Sequence, residues 1–246
     1  MFSAISSMAI ILALSTMLIG QKTDRRDVNQ SILDLRSQIT GLENDLLSVD
    51  TAEVDIASRQ GFGAIRLMPR EKYERLLVIR GGGAYYSFER RTHEYGYGSD
   101  IELSQGRLSV GFAGGDYGFL IDLGETPLGD IGTDTREAKF LINYEVPTEE
   151  RLARSEKLKL NGKQICPGSP ARCSMTYYDA NGFTYRRDVP AIVGHSYLLR
   201  SINFRHSDLV VALRIQNQDD DGSLVIFWKL VRSFGKRDLK QIALVQ

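Results

Sequence analysis

Cysteine is scarce in this chain of 246 residues, which contains two, and neither sign of charge is in excess. Two cysteines exclude a scaffold held by many disulfides and a zinc site with four cysteine ligands. The 31 basic residues balance the 31 acidic ones. Because a neutral chain has no general electrostatic attraction to nucleic acid, we expect no nucleic-acid partner.

Recognisable catalytic and cofactor motifs are also lacking. The three histidines, His93, His195 and His206, do not have metalloprotease spacing, and there is no G-x-S-x-G nucleophile elbow. The run Gly81–Gly83 lacks the Lys-Ser/Thr pair of a phosphate loop. The segment Asn217–Gly222 matches the first half of a calcium loop, but tryptophan stands where that loop needs glutamate, so a hairpin turn is predicted. The sequence predicts neither a cofactor nor a metal site.

What the chain does contain is enough apolar material for a buried core. Apolar residues make up 42% of the sequence and charged residues 25%, which is typical of globular proteins. This composition excludes disorder of the whole chain.

The N-terminal segment is the most apolar part of the sequence. No charged side chain occurs between Met1 and Gln21, and Met8–Gly20 is nearly all apolar. A signal peptide has an apolar core of this length but usually begins with basic residues, which are absent here. A membrane anchor needs about 20 apolar residues, and a buried core helix needs fewer. The terminal position and the abrupt polar change at Gln21 argue against a core helix. We therefore predict that residues 1–21 are a signal peptide or a membrane anchor.

The side of the membrane depends on two opposing signals. Basic residues at Lys22, Arg25 and Arg26 follow the apolar segment and favour a cytoplasmic location for the rest of the chain. Cys166 and Cys173 favour export, because the prolines and glycine between them bend the chain so that the sulfurs can meet as a disulfide. Free thiols or half of a shared metal site are the alternatives, although no nearby histidine completes such a site. We expect the globular part to be extracytoplasmic.

A heptad pattern follows the apolar segment and predicts a helical, coiled-coil-like stalk over residues 22–60. Apolar residues alternate at spacings of four and three: Val28, Ile32, Leu35, Ile39, Leu42, Leu46 and Val49. The pattern favours a homo-oligomer formed through residues 28–50, and packing on the chain's own globular part is the alternative. Gly41 weakens the helix, and Asp45 would face Asp50 of a parallel partner as a like-charge pair.

The remaining residues, 61–246, predict a mainly β domain. Short apolar runs separated by glycine-rich turns indicate an antiparallel sandwich or a barrel-like fold. A buried strand is predicted at Leu76–Ile79 and a helix over residues 148–157. We expect the last two runs, Leu209–Ile215 and Leu224–Val231, to be central strands, with Trp228 among the largest buried side chains.

One glycine-rich segment contains a cluster of aromatic and acidic residues that predicts a ligand site. Tyrosine offers a flat apolar face with a polar tip, and nearby carboxylates accept hydroxyl protons. A sugar, a peptide or another protein fits such a surface, although tyrosines also favour strands without any ligand. The candidate residues are Tyr85, Tyr86, His93, Tyr95, Tyr97, Asp100, Asp116 and Tyr117.

Three functional hypotheses follow from these features. The first is a non-enzymatic β-domain, membrane-tethered through the N-terminal segment or secreted, that acts as an interaction or structural module of the cell envelope. The second is an exported hydrolase of polysaccharide or cell-wall material, with an acid–base pair drawn from Glu94, Asp100 and Asp116 spaced about 5–10 Å apart. The third is a cytoplasmic-facing membrane accessory protein, in which both cysteines would be reduced.

Overall fold

The computed structural model describes residues 25–93, 95–149, 156 and 177–238. The predicted leader at residues 1–21 and the predicted disulfide between Cys166 and Cys173 lie outside the described residues. The predicted helix over residues 148–157 lies mostly outside them.

Most of the regular structure is antiparallel β-sheet. The strands are β1 Gly63–Leu67, β2 Tyr85–Tyr86, β3 Ile101–Ser104, β4 Arg107–Ser109, β5 Tyr117–Asp122, β6 Tyr177–Ala180, β7 Phe183–Arg186, β8 Asp188–Pro190, β9 Ser196–Asn203, β10 Ser207–Gln218 and β11 Leu224–Ser233. A seven-stranded sheet has the order β1-β11-β10-β9-β5-β7-β6, and a four-stranded sheet has the order β2-β3-β4-β8. The prediction of a mainly β, antiparallel fold is therefore confirmed.

Both faces of the larger sheet are covered, which explains the continuous apolar runs in its central strands. On β10, Val210 and Ala212 belong to one core cluster, which also contains residues 138 and 141 of a helix. Leu209, Val211 and Leu213 belong to a second cluster, which also contains residues of β3, β4 and β8 from the smaller sheet. Alternate side chains of one strand thus enter different cores.

The predicted central hairpin is confirmed. β10 pairs with β9 and β11, and β11 pairs with β1 and β10, so neither strand is an edge of the sheet. The turn between them closes when Gly222 donates its backbone N–H to the carbonyl of Asp219. Trp228 on β11 is 8% exposed, as expected of a buried side chain.

One strand prediction in the region between β1 and β2 is wrong. Leu76–Ile79 is not a strand, and the side chains of Leu76 and Val78 are 69% and 73% exposed. This run connects a short helix to the tight turn Arg80–Gly83, and within the described residues it belongs to neither sheet. Before this run, Gly63 begins β1, which pairs with β11.

Four helices are described: α1 Arg25–Leu47, α2 Thr51–Arg59, α3 Arg70–Tyr73 and α4 Arg136–Asn143. The chain divides into two units, Met1–Leu42 and Glu43–Gln246. In the first unit the apolar heptad side chains are 39–69% exposed: Val28, Ile32, Leu35, Ile39 and Leu42. Within the described residues, no helix has both the length and the apolar content required to cross a membrane.

Candidate functional site

A cleft of about 440 Å³ in the unit Glu43–Gln246 contains part of the predicted ligand site. Its walls come from α3, the turn Arg80–Gly83, strands β2 and β3, and the loops around residues 95, 112 and 187. The charged and aromatic side chains that line the cleft are Arg70, Arg80, Tyr85, Tyr95, Tyr97, Glu102, Phe112 and Arg187.

A glycine allows the aromatic wall of the cleft to form. Gly81 has a positive φ of 74°, and a Cβ atom there would lie 2.5 Å from the Tyr85 ring and 3.0 Å from the Tyr95 ring. Because that space is free, Tyr95 contacts Tyr85 edge-on with ring centroids 4.9 Å apart. Phe112 contacts the same tyrosine at 5.2 Å. The positive φ of Gly81 and its missing Cβ atom therefore leave room for the rings of Tyr85 and Tyr95 to contact each other edge-on.

The side chain of Glu102 is fixed at this site by three donors. Its Oε1 accepts hydrogen bonds from the hydroxyl of Tyr85 at 2.6 Å and from the guanidinium of Arg70 at 3.0 Å. Its Oε2 accepts the hydroxyl of Ser109 at 3.0 Å. Both carboxylate oxygens are thus occupied, and the residue is 7% exposed. This arrangement suits a structural carboxylate that positions Tyr85 and Arg70.

The ionisation of Tyr85 reflects its surroundings. Burial, followed by its hydrogen bond to the Glu102 carboxylate, raises the pKa of Tyr85 well above its ordinary value of 10. The hydroxyl therefore stays protonated at neutral pH and donates a hydrogen bond to the Glu102 carboxylate. The hydrogen bond from Arg70 to Glu74 is the main cause that raises the pKa of Arg70 further above its ordinary value. Both groups thus hold a fixed charge state.

Three arginines give the cleft a positive charge. Arg70 is held by Glu74 and Glu102. Arg187 lines the cleft and donates its Nε to the carbonyl of Val110 at 3.1 Å. The exposed side chain of Arg80 has no hydrogen-bond or ion-pair partner in the described part of the chain. Three positive side chains against the carboxylates of Glu74 and Glu102 leave an excess of positive charge among these described groups.

The structure divides the predicted site residues into two groups. Tyr85, Tyr95 and Tyr97 line the cleft, and the last two are 45% and 62% exposed. His93 lies behind the cleft, where its Nδ1–H donates to the carbonyl of Tyr85 at 3.1 Å and burial lowers its pKa. Tyr86 packs against the His93 ring and is 7% exposed.

The remaining candidates, Asp100, Asp116 and Tyr117, are buried outside this cleft. Asp100 accepts the backbone N–H of Phe88 at 2.7 Å, and Asp116 accepts that of Phe204 at 2.9 Å. These aspartates are 0% and 2% exposed. The Tyr117 hydroxyl lies 3.1 Å from that of Tyr144. Glu94, the third carboxylate of the hydrolase hypothesis, lies outside the described residues.

Sequence reasoning missed the charged half of the site. Arg70 and Arg187 are separated along the chain from the tyrosines by 15 and 90 residues or more, so only tertiary contacts bring them together. Arg80 was detectable, because a basic residue immediately before three glycines stands beside the aromatic segment. Glu102 is placed here by the pairing of Tyr85 with it across β2 and β3.

A second hollow contains the segment that resembled half a calcium loop. Five of the aspartates lining it are Asp45, Asp50, Asp219, Asp220 and Asp221. Asp219 forms an ion pair with Arg66, and Asp221 accepts the Tyr73 hydroxyl at 2.6 Å. Among the described residues, no group of three or more His, Cys, Asp or Glu side chains has metal-binding geometry.

Comparisons with known proteins assign no family. No protein-family model matches the chain, and neither a curated protein nor a solved structure matches it. The geometry of the cleft is therefore the basis for a functional proposal.

Proposed function

We propose that this protein is a non-enzymatic binding module of the cell envelope, secreted or tethered through residues 1–21. Its ligand site is the cleft that combines Tyr85, Tyr95 and Tyr97 with three arginines. The observation that carries this proposal is the exposure of Tyr95 and Tyr97 beside a lining with excess positive charge. Large amphipathic aromatic side chains together with arginine are typical of binding sites.

Binding is favoured over hydrolysis by the state of the carboxylates. Acid–base cleavage of a glycosidic bond needs two carboxyl groups that flank the substrate. Glu102 has both oxygens engaged, and Asp100 and Asp116 are buried and hydrogen-bonded to backbone N–H groups. Of the described residues, no such pair of carboxylates lines the cleft.

The finer architecture belongs to the same proposal. The two sheets form a sandwich, because residues of both contribute to one apolar core. The exposed heptad side chains of α1 form a two-stranded parallel coiled coil with a second copy of the chain, since isoleucine at the a positions Ile32 and Ile39 and leucine at the d positions Leu35 and Leu42 favour two strands. The like-charge pair expected from Asp50 is then relieved, because the helix ends at Leu47.

We place the globular part outside the cytoplasm, with Cys166 and Cys173 joined as a disulfide. Labelling of intact cells with a membrane-impermeant thiol reagent, before and after reduction, tests this placement. Labelling that requires prior reduction supports it. Thiols that react only after cell lysis, without reduction, would instead favour the cytoplasmic-facing alternative.

The binding proposal is tested with envelope material isolated from the producing cells. We expect the wild-type protein to sediment with this material and to release no soluble sugar from it. Tyr95→Ala and Tyr97→Ala should abolish sedimentation while both variants stay folded, because neither side chain is part of the buried core. Leu230→Ala, which truncates a side chain that is 51% exposed on β11, is the matched control. Retention of both tyrosine variants at the wild-type level would end the proposal.

A further inference from the structure

The charge and shape of the cleft indicate which chemical class of ligand it accepts. We infer that the cleft binds an acidic saccharide, whose carboxylate or sulfate group contacts Arg80 and Arg187 while a sugar ring packs on Tyr97. This inference rests on the proposed binding function and adds the chemistry of the ligand.

The three arginines of the cleft differ in how far their side chains are engaged within the protein. Arg70 is held by Glu74 and Glu102 and contributes its charge from a fixed position. Among the described residues, Arg80 has no hydrogen-bond or ion-pair partner, and Arg187 engages only its Nε. A guanidinium with free terminal nitrogens binds a planar carboxylate or a sulfate through two parallel hydrogen bonds. An uncharged ligand would leave this binding capacity unused.

An aromatic surface lies next to these arginines. Tyr97 is 62% exposed, and Tyr95 is 45% exposed and held edge-on against Tyr85. The more exposed ring of Tyr97 presents a flat apolar surface to the C–H face of a sugar ring. The hydroxyl groups of a sugar would meet the polar tips of the tyrosines, which both donate and accept hydrogen bonds.

The size of the cleft and its sheet edge favour a saccharide over an acidic peptide. A volume of about 440 Å³ is within the usual range of small-molecule sites, about 300–1,000 Å³. An extended peptide would bind by adding a strand to a free sheet edge. Strand β2 is the edge beside the cleft, but it contains two residues, and Ser87 directly after it bridges to Thr92. The edge available to a peptide is therefore too short.

The test measures binding to the full chain in mild detergent by calorimetry with three probes. These are tetragalacturonate, the uncharged galactose tetrasaccharide of the same length, and a hexaglutamate peptide. We expect tetragalacturonate to bind at least about tenfold more tightly than the neutral sugar, with an affinity that falls as salt increases. We expect the peptide to bind no better than the neutral sugar.

The variants separate charge recognition from ring packing. Arg80→Gln should weaken tetragalacturonate binding about tenfold and leave the neutral sugar unaffected. Because the exposed side chain of Arg80 has no partner in the part of the chain that the structure describes, this change should not affect folding. Arg187→Gln should act in the same direction, and Arg59→Gln, on the exposed surface of α2, is the matched control with no effect. Tyr97→Ala should weaken binding of both sugars.

The outcomes distinguish failure of this inference from failure of the proposed function. Equal affinity for both sugars, with loss on Tyr97→Ala, would overturn the inference and leave a binding module. Binding of the peptide alone, sensitive to Arg80→Gln, would overturn the saccharide class. Binding of none of the three probes would also overturn the inference, whereas the sedimentation experiment with the tyrosine variants decides the binding function separately.

Discussion

Arg200 on β9 and Asp208 on β10 form a buried, bidentate ion pair inside the unit Glu43–Gln246. Nε and a terminal nitrogen of Arg200 each lie 2.9 Å from a different carboxylate oxygen of Asp208, and the two side chains are 0% and 1% exposed. Another terminal nitrogen of Arg200 donates to the carbonyls of Leu141 and Tyr144, at 2.5 and 2.8 Å. The arginine therefore joins the sheet to the C-terminal end of α4.

Removal of the charge at Asp208 should destabilise the protein strongly. Asp208→Asn leaves the Arg200 guanidinium buried without its counter-ion, so we expect a loss of about 3–5 kcal/mol in the free energy of unfolding. Asp188→Asn is the matched control, because Asp188 pairs with Arg107 where both side chains are about 40% exposed. That control should cost less than about 1 kcal/mol in urea unfolding. Equal losses in the two variants would contradict the prediction.

A methyl group at Gly63 should also be destabilising. A Cβ atom there would lie 2.4 Å from Nε1 of Trp228, its register partner across β1 and β11. Because the ring is packed in the core and cannot move freely, we expect Gly63→Ala to cost about 1–3 kcal/mol in urea unfolding. Gly129→Ala, where nothing lies within 4 Å of the new atom, should be close to neutral. A neutral Gly63→Ala would show that the indole moves aside without cost.

The stability of the protein should depend on pH through Asp100. Burial raises the pKa of Asp100 from 3.8 to about 6. The folded protein therefore holds a proton that the unfolded chain releases between pH 4 and 6. The stability that this proton contributes is fully present below pH 3.8 and is lost as the pH rises to 6.

Comparison with Asp100→Asn isolates this effect from other titrating groups. The free energy of unfolding of the wild type minus that of the variant should fall by up to about 3 kcal/mol between pH 4 and 6 and stay constant above pH 7. Urea unfolding at four pH values measures this difference. A difference that is constant, or that grows with pH, would show that Asp100 is charged throughout.

The heptad side chains of α1 should control oligomerisation. Ile32→Asp and Ile39→Asp together place charge on the exposed apolar stripe, so we expect the dimer to become a monomer in light-scattering measurements. Ser37→Asp introduces the same group on the opposite face of the helix and should leave the dimer intact. A wild-type protein that is monomeric at all accessible concentrations would refute the coiled coil.

The sequence predicted the strands well and the irregular segments poorly. Strands β10 and β11 were found because their apolar runs and the glycine in the turn between them are local signals. The run Leu76–Ile79 has the same local signal, yet Leu76 and Val78 are exposed. A strand requires a neighbour to accept its hydrogen bonds, and the identity of that neighbour is not encoded in the run itself.

The candidate site was predicted in part. The aromatic wall, with Tyr95 and Tyr97, came from a local cluster of residues. The arginines were missed, because Arg70 and Arg187 enter the cleft from distant parts of the chain. Asp100 was assigned to the ligand site by proximity in sequence, whereas its carboxylate is buried and bonded to Asn203 at 2.8 Å.

By itself, the sequence determined the β-rich class and the apolar heptad pattern, because alternation, turn residues and heptad spacing act over a few neighbouring residues. Only the tertiary structure decided which charged groups share the cleft and which are locked inside the sheets. The reason is physical: hydrogen bonds and ion pairs such as Arg200–Asp208 depend on distances between strands, which are set by pairing and packing of the whole domain.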